Sequence, residues 1–185
     1  MNGQQAQAIK ETACGANVMK IGFKLLSENA VLPTKANPSD SGLDLYAAED
    51  VIIAPGETVV VKTDLAIELP PGYEAQVRPR SGITSKTKLR VQLGTIDESY
   101  RGNIGVIVDN IAPVYLPELP VYPISIDGKW QTEYLDQYPD ETYLVRKGDK
   151  IAQLVVQPIP QTVAVEISEL SESDRGENGF GSSGV

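Results

Sequence analysis

The chain has 185 residues, enough for one domain with a sizeable core, and its 41% hydrophobic content is ordinary for a soluble protein. Histidine is absent and Cys14 is the only cysteine, which removes Ser-His-Asp and Cys-His catalysis, histidine metal sites, zinc–cysteine clusters and any internal disulfide. A net charge of −9 without a basic stripe argues against nucleic acid as a partner, no apolar run is long enough to span a membrane, and the start lacks the order of a signal peptide, so a cytoplasmic address is expected.

Residues 1–18 are polar and small with no period, and are expected to be a flexible extension. The folded part then begins near Met19, and a β core over 19–170 is expected. VIIAPGETVVVKTDLAIELPPGYEAQV, from Val51 to Val77, breaks into short β-branched runs at Pro55-Gly56 and Pro70-Pro71-Gly72. One short helix is predicted to begin at Ser81, with that serine as its N-cap. NIGVIVDN and KIAQLVVQPI are further strands. Short strands at regular spacing with turn punctuation predict an all-β antiparallel sandwich or barrel.

One segment departs from this rhythm. Ile111 to Val145 holds five prolines, five of the eight tyrosines and the only tryptophan, and it reads as a surface insert over about 112–140. Asp127-Gly128 within it is a hairpin-turn signal. The last residues, 171–185, form a glycine- and serine-rich arm too poor in apolar surface to order itself. Yet that arm carries a guanidinium, an aromatic ring and hydroxyls, the groups that grip a phosphate and a base.

Five stretches concentrate glycine, charge and hydroxyl: PSDSGLDLYAAED, RPRSG, GTIDESYRGNIGV, GDKIAQL and the arm. Arg80-Ser81-Gly82 at the helix start offers free N–H groups and a positive dipole end, a phosphate seat or a plain cap. Asp97 is either a turn former or a base for one water. Asp44, between Leu43 and Leu45, is directed to the core or to a pocket, and there a carboxylate needs an arginine, a metal-bound water or a turn to cap.

In this order and spacing, SGLDLYAAED, PRSG, GTIDESYRG, GDKIAQLVV and RGENGFGSSG resemble the five motifs of the homotrimeric dUTPase family, the dUTP diphosphatases. The resemblance runs from Ile21 to Val185 apart from the insert, which is similar to that of some phage-encoded members. It implies a jelly-roll that assembles as a homotrimer with three sites between subunits, each closed by the arm of a neighbour. The implied reaction is hydrolysis of dUTP to dUMP and pyrophosphate with Mg²⁺, which limits uracil in DNA and supplies dUMP for dTMP synthesis.

The resemblance also assigns roles. Asp97 would activate the water and accept from the 3′-hydroxyl. Tyr100 would underlie the deoxyribose and exclude a 2′-hydroxyl. Main-chain groups of a hairpin around Gly94, Thr95 and Ile96, with Gly105 beyond, would read uracil. Arg80, Ser81, Gly82 and Gln153 would hold phosphates, and Asp44 would organise Mg²⁺ through water. Phe180 would stack on uracil, while Arg175, Gly181, Ser182 and Ser183 would grip the γ-phosphate. Lys150 stands where many members have arginine, and Gln92 lies in an arm where some carry asparagine. Two alternatives are a dCTP deaminase of the same architecture and a regulatory module binding a protein partner through the insert.

Overall fold

The computed structural model describes residues 18–114, 122–132 and 138–177. The expected flexible extension therefore lies almost wholly outside the described residues, as do Phe180, Gly181, Ser182 and Ser183 of the arm. Twelve strands and one helix are present among the described residues. They are β1 (Gly22–Leu25), β2 (Leu43–Tyr46), β3 (Val51–Ile53), β4 (Thr58–Lys62), β5 (Leu65–Glu68), β6 (Tyr73–Arg78), α1 (Ser81–Lys86), β7 (Leu89–Val91), β8 (Gly94–Ile96), β9 (Gly105–Asn110), β10 (Ile124–Ser125), β11 (Tyr143–Val145) and β12 (Lys150–Pro158).

The turns fall where glycine permits them. Gly56 and Gly72 take φ of +79°, a region closed to most side chains, and each ends an apolar run. Between such turns, alternation sends one side of each strand inward. In β4, Val61 is fully buried while Val60 is exposed; in β9, Val106 and Val108 are buried while Ile107 is exposed. The strands make small sheets in the orders β1-β5, β10-β11-β3, β2-β12-β6-β8 and β4-β9-β7. These wrap one core that includes Leu45, Ile53, Leu65, Ile104 and Leu154, all essentially inaccessible. The all-β jelly-roll class expected from the sequence is the class observed.

Three expectations are corrected. Ser81 is the first helical residue rather than the N-cap; Arg80 occupies the cap in an extended conformation, with no side-chain cap bond. The insert is not only a surface hairpin. Asp127-Gly128 does make the turn, with Gly128 N–H donating to the Ser125 carbonyl at 2.8 Å. But β10 pairs in parallel with β11, and Ser125 and Gln131 are buried. The stretch from Tyr143 to Val145 is core strand, so the compositional anomaly begins outside the core and ends inside it. Finally, the expected hairpin at Gly94 to Ile96 is a corner: β7 pairs with β9, whereas β8 pairs with β6, so the chain crosses between sheets at Gln92-Leu93.

Candidate active site

The longest strand, β12, lies between β2 and β6 and brings three of the five motifs to one place. Gln153 is opposite Asp44 on one side and Arg78 on the other. A bulge between Lys150 and Ala152 matters here. Residues three apart on a regular strand face opposite ways. The extra residue places Lys150 opposite Tyr46 and Gln153 opposite Asp44, so all four share one face.

On that face Asp44 is held by two cations. Its Oδ1 accepts from Arg80 Nε at 3.0 Å and its Oδ2 from Lys150 Nζ at 2.8 Å. Arg80 also donates to the Lys150 carbonyl at 3.0 Å. The Lys150 ammonium sits 5.8 Å from the centre of the Tyr46 ring, and its bond to Asp44 raises its pKa above the usual lysine value. The sequence reading left the partner of Asp44 open between an arginine, a metal-bound water and a turn. The structure supplies an arginine and a lysine.

Gln153 donates from Nε2 to the Pro79 carbonyl at 2.9 Å, tying β12 to the segment that carries Arg80. Gly42 makes that side chain possible. A Cβ there would lie 3.0 Å from Gln153 Cβ and still closer to its amide oxygen. Ser81 and Gly82 begin α1 and are exposed, and a Cβ on Gly82 would meet nothing within 4 Å. The first amides of the helix lack intrahelical acceptors and border this open space.

Asp97 follows β8 directly and is exposed. Its carbonyl accepts from Tyr100 N–H at 3.0 Å, so it forms a turn whatever else it does. Glu98 turns away from it and accepts from Gly72 N–H at 2.7 Å. Tyr100 is 45% exposed, and its hydroxyl donates to the Asn103 carbonyl at 3.0 Å. Gly94, Thr95 and Ile96 pair with β6, while Gly105 lies opposite Lys62 in a different sheet. A Cβ on Gly105 would come 2.5 Å from Val60 Cγ1, a packing reason for glycine that the motif reading did not contain. Arg175 is exposed beside a turn closed by Gly176 N–H donating to the Ser173 carbonyl at 3.1 Å.

Among the described residues no three carboxylates, cysteines or histidines cluster in a way that could hold a metal. Both oxygens of Asp44 are engaged by cations. That donor set fits a Mg²⁺ brought by a triphosphate and its waters rather than a cage of side chains. A separate cleft of about 210 Å³ lies between the insert and the turn before β12, lined by Ser125, Asp127, Lys129 and Asp149 among others. Asp127 and Lys129 pair there at 2.8 Å.

Comparison with known proteins follows the same outline. The dUTPase family model matches residues 28–116 and 137–184, leaving out most of the insert. A deoxyuridine 5′-triphosphate nucleotidohydrolase of Gloeothece citriformis is 41% identical over 169 residues, covering 90% of this chain and 98% of the relative. The dUTPase of Staphylococcus bacteriophage 80alpha, solved with dUPNHPP, is 38% identical with a TM-score of 0.84, over 91% of this chain and 100% of that one. A dUTPase from phage phi11 of S. aureus, solved to show the coordination of a structural Mg(II) ion, is 36% identical with a TM-score of 0.76, over 82% and 98%. Neither a deaminase nor a purely regulatory module is favoured by these matches.

Proposed function

The chain belongs to the dUTPase family, and from that premise we propose that it hydrolyses dUTP to dUMP and pyrophosphate at the face built by β2, β12 and the start of α1. The observation that carries the reading is the convergence of Arg80 and Lys150 on Asp44, with Gln153 opposite on the same face, a net cationic patch in a chain of net charge −9. Such a patch is suited to a polyphosphate.

In this mechanism Asp97 takes a proton from a water, and the water oxygen attacks the α-phosphorus as the bond to the bridging oxygen breaks. Arg80 and Gln153 hold the phosphate oxygens, and the free amides of Ser81 and Gly82 add donors. Tyr100 lies beneath the deoxyribose and refuses a 2′-hydroxyl, while main-chain groups near Gly94 to Ile96 read uracil. The arm closes with Arg175, Phe180, Gly181, Ser182 and Ser183 on the nucleotide. Mg²⁺, when bound, would be held through water by Asp44 and would supply charge neutralisation to the triphosphate.

The assembly proposed is a homotrimer. Supporting it are the exposed cross-strand pair Val60 and Ile107, and the segment around Val163, Val165 and Ile167, whose apolar side chains are exposed and which lies in no described strand. Among the described residues no helix is long and apolar enough to cross a membrane, and a cytoplasmic address completes the reading.

Pyrophosphate release from each dNTP, with Mg²⁺ and then with EDTA, tests the activity. Turnover of dUTP alone, abolished by EDTA, is expected. Asp97→Asn should lower kcat by about 10²–10⁴-fold while a non-hydrolysable dUTP analogue still binds. Near-normal turnover in that variant removes Asp97 from the role of base.

A further inference from the structure

Behind Tyr100 runs a chain of polar contacts that the hydrolytic reading leaves unused. The Tyr100 hydroxyl donates to the main-chain carbonyl of Asn103 at 3.0 Å. The Asn103 side chain donates from Nδ2 to Asp64 Oδ1 at 2.8 Å. Asp64 Oδ2 in turn accepts from Ser27 Oγ at 2.7 Å. Four residues from three separate parts of the chain thus lead from the ring to the loop before β5.

Two features single out Asp64 as the centre of this chain. Its φ is +52°, in the left-handed region, and among the described residues only Glu141 is another non-glycine there. Aspartate tolerates this conformation better than most residues, but it persists only where its surroundings hold it. The second feature is Asn103 Oδ1, which is buried with no hydrogen-bond partner. A carboxylate can only accept, so Asp64 obliges the amide to present Nδ2 and leave its oxygen stranded. Asp64 therefore fixes the orientation of Asn103 at a local cost.

The neighbouring backbone is locked as well. Ile104 accepts at its carbonyl from both Thr63 N–H, at 3.2 Å, and Thr63 Oγ1, at 2.7 Å, and its own N–H donates to the Leu65 carbonyl at 2.8 Å. Asn103 is the last link between this rigid crossing and the exposed turn that carries Asp97 and Tyr100. We propose that Asp64 is a specificity-positioning residue: through Asn103 it fixes the height of the Tyr100 ring and so sets how strictly the site refuses a ribonucleotide. The inference rests on the assignment of Tyr100 beneath the sugar.

The test compares kcat/KM for UTP and dUTP in the full-length protein. Asp64→Gly keeps the left-handed backbone at ease and deletes only the carboxylate. The UTP-to-dUTP ratio is expected to rise about three- to tenfold, the worth of one hydrogen bond in positioning. Asp64→Asn retains an acceptor for Asn103 and tolerates the same φ, so its ratio should stay within about twofold of the parent. A staple that is merely structural would lower Tm in Asp64→Gly and leave the ratio alone; that result overturns the proposal. Tyr100→Ala is the control. If it raises the ratio while Asp64→Gly does not, the positioning role fails and the assignment of Tyr100 stands. If Tyr100→Ala leaves the ratio flat, the assignment itself fails and the proposal with it. Should Asp64→Gly not fold, Asn103→Ala takes its place, since it deletes the other end of the bond to Asp64, and an unchanged ratio there is equally decisive against the proposal.

Discussion

Asp44 and Arg80, 36 positions apart in sequence, meet at 3.0 Å because β12 holds their segments side by side. The carboxylate fixes the guanidinium, and Lys150 on its other oxygen keeps the ensemble net cationic. Asp44→Ala should therefore release Arg80 without stranding a buried charge, since both cations retain access to water. Of the two charge-assisted bonds lost, the one that positions Arg80 predicts about 10–100-fold lower kcat/KM for dUTP, with Tm nearly unchanged. Steady-state kinetics and a thermal melt check the two halves separately.

Gly42→Ala is expected to act through Gln153. The added methyl occupies the space of the Gln153 amide and breaks its bond to the Pro79 carbonyl. Affinity for a non-hydrolysable dUTP analogue should fall about three- to tenfold by calorimetry. A Gly42→Ala, Gln153→Gly double variant should bind no more weakly than Gln153→Gly alone, because both the amide and the Cβ that the methyl would meet are then gone.

Asp149 offers a test by pH. Partial burial pushes its carboxyl above the usual value of 3.8, opposed by the Arg146 N–H that donates to it at 2.8 Å. Asp50 and Asp127 add to the upward push and the Arg146 charge opposes it. A carboxyl raised on folding stabilises the protein below its unfolded pKa, and that contribution is lost as pH rises through the folded value. At neutral pH ionised Asp149 thus weighs against the fold. Asp149→Asn keeps an acceptor for Arg146 and should raise Tm near pH 7, with the advantage vanishing below about pH 3.8.

Removing Arg175 to Val185 should leave the core intact, because residues 171–177 are exposed and carry none of its packing. On the proposed mechanism turnover should collapse while analogue binding weakens modestly, since the other motifs still hold uracil and the inner phosphates. A truncated protein with full turnover would show that the arm closes nothing.

The sequence announced most of this architecture through punctuation. Pro-Gly pairs delimited β3 to β6, and the strand-like run KIAQLVVQPI marked β12. It announced the site through motif order, which grouped Asp44, Arg80 and Gln153 before any contact was visible. What it did not announce depended on geometry alone. Lys150 looked like a substitution at a family position; only the bulge shows why it reaches Asp44. The link from Ser27 through Asp64 to Asn103 joins residues 37 and 39 positions apart, and no local pattern signals it. The hairpin around Gly94 to Ile96 came from the family resemblance, and only the strand partners show a corner at Gln92-Leu93.

The bulge in β12 also separates two ways of losing the extra residue. Deleting Ile151 would heal the ladder into regular pairing, and Lys150 and Gln153, then two positions apart, would still share a face; what is lost is the buried Ile151 side chain. Keeping every residue but pairing the strand regularly would do the opposite, turning Lys150 to the other face from Gln153. The segment from Gly148 to Gln153 is therefore a place where a strand of equal length borrowed from an unbulged sheet would not serve, although no residue of the site would be missing.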